Sequence, residues 1–314
     1  ISGRLNENRD GEVMEPLITA MWGQSCHYNA MCPEDENGPC GHCVTGCVAT
    51  AMGMILHYWG YPAQGTGSYS YIHSTYGQIS ANFGETTYDW TNMPNQLTAT
   101  STQVEIDAVS TLLWHCGVAV SMGYSPNASG AASISVPDAL LDYFNYSNDM
   151  HMERRQDNES WVSLLKTDLD AGRPVFYSGS NINNEGHAFV CDGYDLNDRF
   201  HFNWGWNGVS NGYFALNDIG FIYSNDAIFN LHPNANITHQ VTASASPSDA
   251  GTVTGAGTYD MGSICTMTAT ANEGFAFMYW TEDDEVVSTQ VEYSFHVRKD
   301  RVLVGHFSTP IQEI

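Results

Sequence analysis

The apolar periodicity of this chain changes once, near Pro174, and that change limits the possible folds more than any other feature. Before it, apolar residues recur at three and four positions, the spacing that gives a helix one buried stripe. Val48, Met52, Ile55 and Trp59 predict a helix from about Gly46 to Trp59, with Thr45 as N-cap and Gly60 and Pro62 as the stop. Thr102 and Glu105 read as a capping box ahead of Ile106, Val109, Leu113 and Cys116, with Gly117 as terminator. Shorter helices are expected after Pro137 and after Ser160, the latter a cap leading into Trp161, Leu164, Leu165 and Leu169. Beyond Pro174 the period becomes two, with strands expected at Val175 to Ser178, His187 to Tyr194, Arg199 to Trp204 and Tyr213 to Leu216. Helices followed by strands predict an α+β domain.

A second change comes near Thr238, where short alternating runs rich in Thr, Ser, Ala and Val begin. The runs Thr252 to Thr254, Ile264 to Thr270, Phe275 to Trp280, Tyr293 to Val297 and Val302 to Phe307 are separated by turn residues and by the acidic stretch Glu282 to Glu285. They predict a small all-β sandwich. With 314 residues, two unequal cores are expected: a domain over residues 1–233 and an Ig-like accessory module over residues 238–314. The hinge falls around His232 to Ile237, where Pro233, Asn234 and Asn236 interrupt both patterns.

Charge narrows the class of partner. Ten basic against 35 acidic residues leave a formal charge of −25, which repels phosphate backbones and anionic lipid, so nucleic acid is excluded as a partner. No run approaches the ~18 apolar residues of a spanning helix, and Ile1 does not open a charged-then-apolar leader. A processed, exported protein is expected, secreted or held at the cell surface.

Chemistry concentrates at two places. Cys47 falls in the first turn of its predicted helix, where the positive end of the helix favours thiolate, and small residues from Thr45 to Ala51 let a substrate backbone approach. An inert buried thiol is the competing account, because free cysteines are usually buried. His187 heads an apolar strand after a Gly- and Asn-rich loop, a place from which an imidazole can face a cleft. In the next strand, Asn203 offers an amide to hold one ring nitrogen of His187, and Trp204 a ring to shield that bond. His201 competes as the base but sits between aromatic neighbours, two residues from Asn203. Gln24, between Gly23 and Ser25, supplies a side-chain amide for an oxyanion, or is a solvated turn residue.

The run Gly46-Cys47-Val48-Ala49-Thr50-Ala51-Met52, ending in His57-Tyr58-Trp59-Gly60-Tyr61-Pro62, resembles the nucleophile helix of the streptopain and interpain family of bacterial cysteine peptidases. Trp22-Gly23-Gln24 with Tyr28-Asn29 resembles that family's oxyanion segment, Gly186-His187-Ala188 its histidine segment, and Asn203 to Gly208 followed by Gly212-Tyr213-Phe214 its orienting strand. The resemblance spans about Glu15 to Leu216. It implies a papain-like fold, a helical subdomain with an antiparallel β subdomain, and a secreted endopeptidase made as a zymogen. It also implies protein or peptide substrates, a preference for apolar residues in the second subsite, and a propeptide already removed from this chain. Cys47 is then nucleophile and His187 base, with Gln24, Asn203 and Trp204 in support, and no cofactor or metal is required.

Cys26, Cys32, Cys40 and Cys43 crowd the segment between Gln24 and Cys47. Disulfides are expected, with three pairings if all four join, against a zinc site built from the same cysteines with His27 or His42. Cys116, Cys191 and Cys265 read as buried thiols. The segments Gly251 to Gly255, Asn272 to Phe275 and Tyr279-Trp280 resemble β repeats of bacterial surface proteins, which implies a module that binds, spaces or stabilises, with a cell-surface ligand as its partner. Two rival functions remain: an inactive protease-like scaffold carrying a surface- or glycan-binding module, and an acyl transfer to another acceptor, as in an amidase or transglutaminase.

Overall fold

The computed structural model describes residues 13–155, 160–234, 238–297 and 299–309. Residues 235–237 of the expected hinge and the first twelve residues of the expected first domain lie outside them. The chain divides into two compact units, Ile1–Asn234 and Ala235–Ile314.

In the first unit, helix α1 (Cys47–Trp59) is buried at every residue except Cys47 and His57, so it forms the core rather than lying on its surface. On one side it packs on α2 (Gln103–Ala119), which in turn touches the hairpin of β1 (Tyr69–His73) and β2 (Gly77–Ala81) and helix α3 (Val136–Phe144). A Cβ on Gly53 would lie 2.4 Å from the Leu113 side chain, so this glycine sets how closely α1 and α2 approach. Thr102 and Glu105 form the expected capping box of α2. Gly117 does not end that helix, which runs on to Ala119; a Cβ there would lie 2.2 Å from the Tyr124 hydroxyl, so the glycine serves packing and not termination.

The β subdomain follows with β3 (His151–Arg154), α4 (Ser160–Asp170), β4 (Val175–Ser180), β5 (Gly186–Tyr194), β6 (Phe200–Asn203), β7 (Gly212–Phe214) and β8 (Tyr223–Phe229). Ser160 is itself helical, and the residues that would cap α4 lie outside the described ones. The strands form one antiparallel sheet in the order β3-β8-β4-β5-β6-β7. Residues 187–193 of β5 are buried without alternation because α1 and α4 both pack against this central strand. Strand β8 is absent from the sequence expectation: Asn225 and Asp226 break its apolar pattern, yet Asn225 is buried and donates to the Phe221 carbonyl at 2.5 Å.

The second unit contains β9 (Thr238–Ser246), β10 (Gly251–Thr254), β11 (Gly257–Asp260), β12 (Ile264–Ala271), β13 (Ala276–Glu282), β14 (Glu285–Ser288), β15 (Glu292–His296) and β16 (Arg301–Ser308). A three-stranded sheet, β10-β12-β15, and a five-stranded sheet, β11-β9-β16-β13-β14, share a core of Val241, Met267, Trp280, Leu303 and Phe307. Parallel pairing of β9 with β16 joins the two ends of the module. Among the described residues of the chain, no helix is long and apolar enough to cross a membrane.

Candidate active site

Gly46, not Thr45, caps α1. Its φ is +92°, and a Cβ there would lie 2.8 Å from the Met122 sulfur, so both conformation and space demand glycine. Thr45 is buried instead, with its hydroxyl against the Cys32 thiol. No side chain caps α1, which leaves the amide N–H groups of its first turn available to another acceptor.

The Cys47 sulfur lies among such donors. The amides of Ala188, Val48 and Cys47 itself point at it and draw its pKa down, but burial is the larger effect and pushes the thiol above its usual value. Ala188 is the residue next to His187, so the nucleophile helix and the histidine strand meet at this sulfur. Cys47 keeps partial exposure, whereas Cys32, Cys43, Cys116, Cys191 and Cys265 are buried thiols.

His187 is buried, with Nε2 2.9 Å from the Trp204 carbonyl oxygen. A carbonyl can only accept, so Nε2 carries the hydrogen and Nδ1 keeps its lone pair in the neutral ring. Burial pushes the imidazole down to about 4, opposed in part by that hydrogen bond. Burial thus disfavours the charged form of each group, thiolate and imidazolium alike.

Asn203 bonds elsewhere: its Nδ2 donates to the Ala20 carbonyl at 2.7 Å and its Oδ1 accepts from the Gly205 amide at 3.3 Å. The ring is held instead by the backbone of Trp204, a partner no side-chain pattern reveals. Trp204 stacks at 6.3 Å between centroids, but Trp206 lies closer, at 4.7 Å, and Phe221 at 5.1 Å. Sequence reasoning missed these two; the Trp-Gly-Trp repeat was the available signal for Trp206, while Phe221 is far along the chain.

Gln24 joins the parts. Its backbone carbonyl accepts from Thr45 N at 2.9 Å, and its Nε2 reaches the Gly205 carbonyl at 3.4 Å, a long bond that a stronger acceptor can displace. His201 bonds through Nδ1 to the Asp192 carboxylate at 2.6 Å and takes no part in this cluster. Of the pairings left open, the structure forms Cys26–Cys40, which removes two of the candidate zinc ligands. Burial pushes Cys32 to about 12 and also raises Cys43, so both are protonated thiols at neutral pH.

The peptidase C10 family matches residues 22–214, and the divergent InlB B-repeat domain matches residues 241–310. The thiol protease/hemagglutinin PrtT of Porphyromonas gingivalis is 34% identical over 233 residues, covering 69% of this chain and 26% of that protein. Streptopain of Streptococcus pyogenes is 32% identical over 228 residues, covering 65% of this chain and 57% of that protein. The chain thus spans only part of these relatives. The active wild-type interpain A cysteine protease of Prevotella intermedia superposes with a TM-score of 0.64 at 35% identity, over 70% of this chain and 95% of that one. A prointerpain A fragment from the same organism gives the same TM-score at 34% identity, covering 71% of this chain and 73% of that fragment. With its family match covering most of the first unit, and with a papain-like architecture shared with interpain A, this chain belongs to the peptidase C10 family and carries a C-terminal divergent InlB B-repeat domain.

Proposed function

We propose that the chain is a secreted cysteine endopeptidase that cleaves peptide bonds in proteins through a thioester on Cys47. The observation that carries this is the Cys47 sulfur against the Ala188 amide, one residue from an imidazole whose Nδ1 is unprotonated. In the first half-reaction the thiol gives its proton to Nδ1 as sulfur bonds to the carbonyl carbon. The imidazolium then donates that proton to the departing amine. Water, deprotonated by the same Nδ1, cleaves the thioester and restores the thiol. The Cys47 amide and Gln24 Nε2 bind the oxyanion, the Trp204 carbonyl holds the ring, and the Trp206 and Phe221 rings limit water around it.

Burial disfavours both charged forms, and the amides aimed at the Cys47 sulfur favour the transfer of its proton to the imidazole. Cys47→Ala should lower casein hydrolysis by on the order of 10⁴-fold or more while circular dichroism stays unchanged. Activity retained in that variant would remove Cys47 from the reaction. Maturation from a zymogen and a surface ligand for the C-terminal module belong to the same proposal, supported by the family and by the B-repeat match.

A further inference from the structure

The segment that carries Gln24 is a strap that joins the β sheet only by a bridge at Met14, and it is held there by backbone hydrogen bonds together with two buried side chains of the sheet. At its start, Met14 exchanges two backbone hydrogen bonds with Tyr194, at 2.8 and 3.0 Å. Leu17 N donates to the Asp192 carbonyl at 2.8 Å, and Ile18 N to the Asp192 carboxylate Oδ2 at 3.0 Å. Further on, Asn203 Nδ2 holds the Ala20 carbonyl and Asn207 N holds the Trp22 carbonyl at 3.0 Å, two residues before Gln24.

Asp192 is the unusual member of this series. It lies where the pairing of β5 with β6 shifts register between Cys191 and Gly193, so a bulge turns its carboxylate out of the ladder toward the strap. The residue is fully buried, and Oδ1 faces His201 Nδ1 while Oδ2 takes the Ile18 amide. A Cβ on the next residue, Gly193, would lie 2.7 Å from the Met14 carbonyl oxygen, so the strap is pressed against the strand at the bulge. A buried carboxylate raises the free energy of the fold unless it is well paired, and this one spends one of its oxygens on a backbone amide of the strap. Burial pushes its pKa up and the His201 contact draws it back.

We infer that Asp192, braced by His201 through the bulge in β5, is a positioning residue for the oxyanion arm: it fixes residues 14–24 to the strand that bears His187 and so sets where Gln24 Nε2 points. Asn203 serves the same arm at Ala20. The inference rests on the peptidase reading, in which Gln24 contributes to the oxyanion site. It assigns to the Asp192–His201 pair and to Asn203 an action on Gln24 and not on the base.

The test compares two rates in the full chain: peptide turnover, which needs the oxyanion arm, and alkylation of Cys47 by iodoacetamide, which needs only the thiol and His187. Asp192→Ala should lower kcat on the order of tenfold, with KM and the alkylation rate within about threefold of wild type. In a Gln24→Ala background the same change should cost less than about threefold, since the group it positions is gone. Asp192→Asn should stay within about threefold of wild type, because its Oδ1 can still accept from Ile18 N and so keep the strap's tie to β5. Should Asp192→Ala fail to fold by near-ultraviolet circular dichroism, Asn203→Ala carries the same comparison and the same expected signature. Unchanged kcat, full additivity with Gln24→Ala, or a parallel loss of alkylation would each overturn the inference. A wild-type chain that alkylates at Cys47 but hydrolyses no peptide would instead defeat the peptidase reading.

Discussion

The two units bury different kinds of matter. Among the described residues, the first unit buries several hydroxyl side chains and also His115, His187, Asp168, Asp192, Asp195, Asn29, Asn203 and Asn225, whereas Thr281 is the buried polar residue of the tail. Tail strands pair with one another and close over an apolar core built around Trp280 and Phe307, beside one inward-facing ion pair, Arg301 with Glu282. The first unit must fix stretches such as residues 15–24 that lie outside any strand. Besides backbone bonds it uses buried side-chain donors and acceptors there, each of which ties stability to protonation or to a specific partner.

Acid should separate the two units most. Burial pushes His187 and His115 from 6.5 down to about 4, so the fold favours the neutral rings while the unfolded chain takes up protons from pH 6.5 downward. Their contribution is intact above pH 6.5 and is lost progressively between 6.5 and 4, on the order of 3 kcal/mol for each ring. The tail instead relies on Glu282 and Asp300, whose pKa values are lowered, and gives up that contribution only as the pH falls below the usual carboxylate range. Urea unfolding at pH 7 and pH 4.5, followed by tryptophan fluorescence, should show the catalytic unit weakening first. Equal weakening of both units would erase the distinction.

A change at Gln24 should affect rate more than order. Gln24→Ala is expected to lower kcat on the order of 10²-fold with KM little changed, as measured by steady-state peptide hydrolysis. In the tail, Arg301 is bidentate to Glu282 and lies 3.9 Å from the Phe295 ring centroid. Arg301→Ala should destabilise the tail by about 2 kcal/mol while peptide turnover is unchanged, because an inward-facing pair loses one charge. The smallest effect is expected from removing residues 235–314: kcat on a short peptide should stay within about twofold, in keeping with two separate cores. A larger loss would show that the module takes part in catalysis.

Local sequence was sufficient for features whose cause is local. The capping box at Thr102 and Glu105, the run of α1 from Cys47 to Trp59 and the alternation in the tail all appear as expected because each depends on residues close in the chain. Motif order also placed Cys47 and His187 on the elements that meet. Failures came where a polar residue is rescued by a distant partner. Strand β8 hides behind Asn225 and Asp226, and Gly46 takes the cap expected of Thr45 because Met122 and Ser129 close over it.

By itself, then, the order of residues determined the helices and strands whose pattern is local, and it singled out Cys47 and His187 as candidates. Tertiary structure alone decided how those groups are held: the Trp204 backbone carries the ring of His187, Asn203 turns to Ala20, and Cys26 joins Cys40. Periodicity records which face of an element is buried, a property of near neighbours. A hydrogen bond between residues far apart in the chain depends on where every intervening element packs, and no window of sequence contains that.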